Sequence, residues 1–132
     1  MSFLPAHRVV EAPGARPERT VWFLHGILGS SRNWRGFARR LVESRPWWRA
    51  VLVDLRNHGE STGAPGPHTL EACAADLETL LPAPDAVCGH SFGGKVALVF
   101  ARDHRPRPAA LWVLDSPPGR VPAGERRIEA VF

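Results

Sequence analysis

Short apolar bursts alternate along this chain with segments whose apolar positions fall at helical spacing. Val21-Trp22-Phe23-Leu24 is an apolar run followed by His25-Gly26, and it predicts a buried strand. Over residues 34–42, Trp34, Phe37, Ala38, Leu41 and Val42 share one helical face with Arg35, Arg39 and Arg40 opposite, and Pro46 stops the helix. Ala50-Val51-Leu52-Val53 predicts a second strand ending at Asp54. Gly63, Pro65, Gly66 and Pro67 mark residues 62–68 as loop. Thr69 suits an N-cap, and Glu71 suits the positive end of a helix dipole. Leu70, Cys73, Leu77 and Leu80 then form one apolar face, which Pro82 and Pro84 end. Ala86-Val87-Cys88 predicts a short strand and residues 94–102 a helix. Residues 109–114 predict a further strand ending at Asp115. After Pro117-Pro118-Gly119, residues 124–132 read as the start of another helix. Strands alternating with helices favour an α/β fold with a parallel sheet.

Composition narrows the function classes. The chain has 132 residues, enough for one domain or part of one. Its 44% apolar and 23% charged content is ordinary for a soluble globular protein. No stretch approaches the ~18–20 consecutive apolar residues of a membrane span. The N-terminal residues lack an apolar leader, so a cytoplasmic location without membrane partners is expected. Cys73 and Cys88 form no CxxC and no zinc-ligand spacing, and they read as small buried hydrophobes. The net charge is +4, and all but Lys95 of the 17 basic residues are arginines. They are scattered rather than gathered on one stripe with aromatics between, so nucleic-acid binding is not expected.

The chemistry concentrates at Gly89-His90-Ser91-Phe92-Gly93, which fits G-x-S-x-G between a predicted strand and a predicted helix. A serine hydroxyl is a weak nucleophile until a base takes its proton, and a tight strand-to-helix turn exposes it for attack. Gly89, Gly93 and Gly94 allow the close backbone approach that such a turn needs. The N–H of Phe92, at the start of the helix, would face the developing oxyanion. A Walker loop is excluded because Gly94-Lys95 is followed by Val96. His25-Gly26-Ile27-Leu28-Gly29-Ser30 follows the first strand, and the N–H of Ile27 is the candidate second oxyanion donor. His25 itself is expected to hold the loop.

Three stretches then carry a resemblance to the α/β-hydrolase superfamily, in its small carboxylesterase branch. These are Asp54-Leu55-Arg56-Asn57-His58-Gly59-Glu60-Ser61, Gly89-His90-Ser91-Phe92-Gly93-Gly94-Lys95-Val96-Ala97-Leu98, and Leu114-Asp115-Ser116-Pro117-Pro118. The resemblance spans residues 21–118. It implies an α/β-hydrolase fold, a mostly parallel sheet flanked by helices, and a Ser–Asp/Glu–His triad with Ser91 as nucleophile. In this branch the acid follows the sixth strand, at the position of Asp115; from the bare sequence Asp115 is an acid at a strand's C-terminal end, where α/β sites gather, with a capping carboxylate for the next turn as the alternative. The resemblance also implies a cap after the sixth strand and a base histidine in a later loop. Residues 1–118 are therefore expected to form the N-terminal part of the core and 119–132 the start of a cap. The sheet is expected to be truncated after the sixth strand, with that strand an exposed apolar edge, and the base to be absent from this chain.

The expected activity is hydrolysis of a small-molecule ester or thioester without cofactor or metal; oligomeric state is left open. Haloalkane dehalogenases carry an aspartate where Ser91 stands. C–C hydrolases, cofactor-free haloperoxidases and acyltransferases share the serine and stay open, as does a non-catalytic binding protein or an inactive fragment. Among the remaining polar residues, His90 is expected to point away from the site, His104 to lie at the far end of its helix, and His58 to hold its loop. Asp54 is expected to tie down its own turn, with Arg56 or a backbone N–H as partner. The five tryptophans are assigned to core packing.

Overall fold

A computed structural model describes residues 3–116. Its strands are β1 (His7–Val10), β2 (Arg19–Leu24), β3 (Trp48–Val53), β4 (Ala86–His90) and β5 (Ala110–Leu114). Its α-helices are α1 (Arg35–Ser44), entered through a 3-10 turn over Ser31–Trp34, α2 (Leu70–Leu77) and α3 (Phe92–Asp103). The sheet order is β1-β3-β2-β4-β5. The β3–β2, β2–β4 and β4–β5 pairs are parallel, and β1 alone runs antiparallel, on the outer side of β3. The strand that the family resemblance numbers sixth is β5. The segment 119–132 expected to begin a cap lies outside the described residues.

The apolar runs become strands because both faces of the sheet are covered, which removes the usual polar alternation. Along β2, Trp22 and Leu24 face one layer, with Cys73 and Leu77 of α2 and Val96 and Phe100 of α3. Val21 and Phe23 face the other, with Ala38 and Val42 of α1. Trp22 fills the first layer, with its ring centroid 5.2 Å from that of Phe100 and its indole N–H donating to the Pro82 carbonyl at 2.9 Å.

The helices follow the predicted signals in part: Trp34 belongs to the 3-10 turn before α1, and Leu80 is buried beyond the end of α2 rather than on its helical face. Thr69 accepts the Ala72 N–H at 3.1 Å and starts α2, which ends at Leu77, before Pro82 is reached. Helix α1 ends two residues before Pro46. β1 was not foreseen: His-Arg-Val-Val shows neither an apolar run nor alternation, and its strand form comes from pairing with β3. Two tryptophans depart from core packing, since Trp47 and Trp112 are 48% and 56% exposed. Trp112 sits on β5, an edge strand among the described residues, with Leu114 also exposed, as expected for an apolar edge. No helix among the described residues is long and apolar enough to cross a membrane.

Candidate active site

From β2 the chain crosses to β3 on one side of it, and then to β4 on the other. The order reverses between β2 and β4, and the crevice outside the carboxyl ends of such strands is where open α/β sheets bind ligands. The loop beginning at His25 leaves β2 there, and Ser91 leaves β4 there.

Ser91 continues the ladder for one residue past β4, donating its N–H to the Leu114 carbonyl at 2.8 Å. Its backbone then turns sharply, with φ 52° and ψ −116°, and α3 begins at Phe92. A non-glycine residue in such a sparsely populated region costs about 1–3 kcal/mol, held by the surrounding packing. The glycines make that packing feasible. A Cβ on Gly89 would strike the Gly93 carbonyl, and one on Gly94 would come within 2.9 Å of Val113 Cγ1. The N–H of Phe92 is among those that helix geometry leaves without an intrahelical acceptor, at the positive end of the α3 dipole.

Residues 26–29 form a turn closed by the Gly29 N–H donating to the Gly26 carbonyl at 3.0 Å, with Leu28 at φ 62°. Ile27 is its first central residue. The turn lies against the elbow, since a Cβ on Gly26 would be 3.4 Å from Ser91 Cβ. His25 fixes it from beneath. Its ring is fully buried, Nε2 accepts the Leu55 N–H at 3.0 Å, and Nδ1 therefore donates to the Gly26 carbonyl, 2.6 Å away. Burial lowers its pKa, and the Gly26 carbonyl and Asp54 charge oppose that without overcoming it. Both nitrogens of a neutral ring are thus committed to the backbone, the loop-holding role expected of it.

Asp54 ties the same region together. Its carboxylate accepts the N–H of Ser31 at 2.7 Å and of Glu60 at 3.1 Å. Burial acts to raise its pKa, but these donors, the Ser31 hydroxyl and nearby His25 outweigh it and hold the group below its ordinary value. Arg56, the alternative partner, is engaged elsewhere. Its guanidinium forms a two-pronged pair with Asp76 of α2 at 2.7 and 2.8 Å and donates to the carbonyls of Pro65 and Pro67. Asp76 is a buried partner whose signal in the sequence is an acid three residues after Cys73 on an apolar helix face.

Asp115 follows β5 directly, with φ 53° and an exposed carboxylate. The register pairs His90 with Leu114, so Asp115 stands beside Ser91 on the neighbouring strand. His90 differs from expectation. Its Nε2 lies 3.9 Å from Asp115 Oδ2, and its Nδ1 is 3.1 Å from where a Gly26 Cβ would be. The ring therefore stays at the carboxyl end of the sheet, because β4 ends between the Gly26 turn and Asp115. His104 stacks on Phe100 at the far end of α3, with centroids 4.5 Å apart. His58 bonds the Arg56 carbonyl through Nδ1 at 2.9 Å, within its own loop. Cys73 and Cys88 are buried thiols, each pushed up to about 11 by burial. No group of three or more metal-ligating side chains is found among the described residues.

Residues 19–129 match the family model of the alpha/beta hydrolase fold. The sn-1-specific diacylglycerol lipase ABHD11 of Mus musculus is 40% identical over 107 residues, covering 77% of this chain and 34% of that protein. Ethanol acetyltransferase 1 of Kluyveromyces marxianus is 33% identical over 124 residues, 90% of this chain and 33% of its own length. Among solved structures, a thermophilic esterase from Thermogutta terrifontis aligns with a TM-score of 0.72 at 29% identity, over 90% of this chain and 43% of that one. The chain spans about a third of the length of these curated relatives.

Proposed function

The chain belongs to the alpha/beta hydrolase fold family, and on that premise we propose that it carries the nucleophile, oxyanion donors and acid of a serine hydrolase acting on carboxylic esters or thioesters. The observation that carries this reading is Ser91 itself, held at positive φ between β4 and α3, with the Gly26 turn against its side chain.

In this reading Ser91 Oγ attacks the substrate carbonyl while a histidine takes its proton. The N–H groups of Phe92 and Ile27 receive the charge that develops on the carbonyl oxygen; a single such donor contributes about 10²–10³ in kcat. Collapse of the tetrahedral adduct breaks the bond to the alcohol or thiol, which leaves with the histidine's proton. Water then hydrolyses the acyl-serine by the same steps in reverse roles. Asp115 orients the histidine. His25 is committed on both nitrogens, His58 bonds its own loop, His104 lies at the far end of α3, and His90 is too far from Asp115 for a hydrogen bond; the base is assigned, as the family resemblance implies, to a histidine not among these 132 residues.

A second reading, acyl transfer to an alcohol, is favoured by the acetyltransferase relative, which matches 90% of this chain. It uses the same acyl-serine with an alcohol in place of water.

A fluorophosphonate probe and p-nitrophenyl esters, applied to the full natural chain and its Ser91→Ala variant, test the proposal. Labelling and turnover are expected in the wild type alone. Equal labelling of the variant would remove Ser91 from the mechanism. Added ethanol separates the two readings by whether an ethyl ester accumulates.

A further inference from the structure

The strand carrying the nucleophile lies between the two strands whose ends carry the other site elements. β4 has β2 on one side and β5 on the other. The last residue of β4, His90, touches both neighbours' loops. On the β2 side its ring packs on Gly26, where a Cβ would be 3.1 Å from Nδ1 and 3.5 Å from Cε1. On the β5 side its Nε2 faces Asp115 Oδ2 at 3.9 Å. That distance is too long for a hydrogen bond, so the contact with Asp115 is one of shape and, when the ring is protonated, of charge.

We propose that His90 is a positioning residue, a spacer whose imidazole sets the separation between the turn bearing Ile27 and the loop bearing Asp115. The inference rests on the serine-hydrolase reading above. The geometry accounts for two features together. A Cβ on Gly26 would sit 3.1 Å from the His90 ring and 3.4 Å from Ser91 Cβ, so a side chain there would press on the ring. Asp115, exposed and at positive φ, has the ring as a neighbour on the side of the elbow. Removing the ring frees the turn to settle toward β4 and takes from the Asp115 side chain its neighbour on β4, while Ser91 keeps its own backbone bond to Leu114. Glutamine restores much of the bulk without the charge.

The test uses His90→Ala, His90→Gln and Gly26→Ala in the full natural chain, with Ser91→Ala as control. His90→Ala is expected to lower kcat about 10- to 100-fold, the scale of a misplacement near 1 Å, with KM changed less than about twofold. His90→Gln is expected to recover most of the loss. Gly26→Ala is expected to be harmful alone and less so on the His90→Ala background, because the contested space is then vacant. Unchanged kcat in His90→Ala, or parallel losses of kcat and thermal stability without rescue by glutamine, would overturn the proposal. Backbone amide NMR decides it independently of turnover: His90→Ala must shift both Ile27 and Asp115, and an unmoved Asp115 amide refutes the spacer. If wild type and Ser91→Ala turn over alike, the hydrolase reading fails and the amide shifts alone judge His90.

Discussion

A Cβ on Gly93 would stand 2.5 Å from the carbonyl oxygen of His25. Helix α3 therefore starts in backbone contact with the end of β2, and the separation of Ser91 from the Gly26 turn depends on a missing side chain.

Gly93→Ala is accordingly expected to destabilise the protein by about 1–3 kcal/mol, as overpacking does, and to displace the elbow. Gly36 in α1 is the control, because nothing lies within 4 Å of its Cβ position. Gly36→Ala is expected to add about 0.5–1 kcal/mol through helix propensity. Urea unfolding of both variants measures the contrast, and equal effects would contradict the packing described.

Acid should weaken the fold through His25. Burial holds its pKa below 6.5, the ordinary histidine value. As pH falls through that value, the unfolded chain takes up a proton that the folded ring refuses. This contribution to stability is complete above 6.5 and is lost as pH falls toward the lower folded value. Thermal midpoints measured from about pH 7 to pH 5 are expected to fall, and less steeply in His25→Gln, which has no proton to gain.

The Arg56–Asp76 pair sits almost without exposure, at 7% and 5%. Arg56→Met leaves the Asp76 carboxylate buried and alone, a loss of about 3–5 kcal/mol. The double variant Arg56→Met/Asp76→Leu is expected to regain most of it in urea unfolding. Arg56 also anchors the carbonyls of Pro65 and Pro67, so amide exchange in residues 62–68 is expected to stay fast in the double variant.

Among the described residues β5 is an edge strand, and its Trp112 and Leu114 expose apolar surface, a template for unwanted pairing. Trp112→Lys is expected to raise the protein concentration at which light scattering first detects aggregates. An unchanged threshold would show that the β5 edge does not direct aggregation.

The parts most legible in the sequence were those governed by local rules. The apolar runs of β2, β3 and β4, the Thr69 cap and the glycines of the elbow each announce themselves within a few residues. β1 did not, because His7–Val10 takes its form from β3, more than thirty residues away. The direction of His90 was equally hidden: it depends on β4 ending between two loops, which only the strand order reveals. Asp54 and Arg56 are two residues apart, yet they serve different partners, one in the loop before α1 and one on α2. Such choices are settled by tertiary placement, beyond the reach of spacing.

The His25 ring has a consequence for quality control of the protein. The Leu55 amide finds its acceptor on that ring, and the same ring secures the Gly26 carbonyl. A chain whose β3 has docked out of step loses the Leu55 bond, and with it the contact that holds the ring in place under the turn beside Ser91. Competence of the serine thus becomes a reporter of correct assembly, so that the fraction of molecules captured by a serine-directed probe would count the properly folded ones.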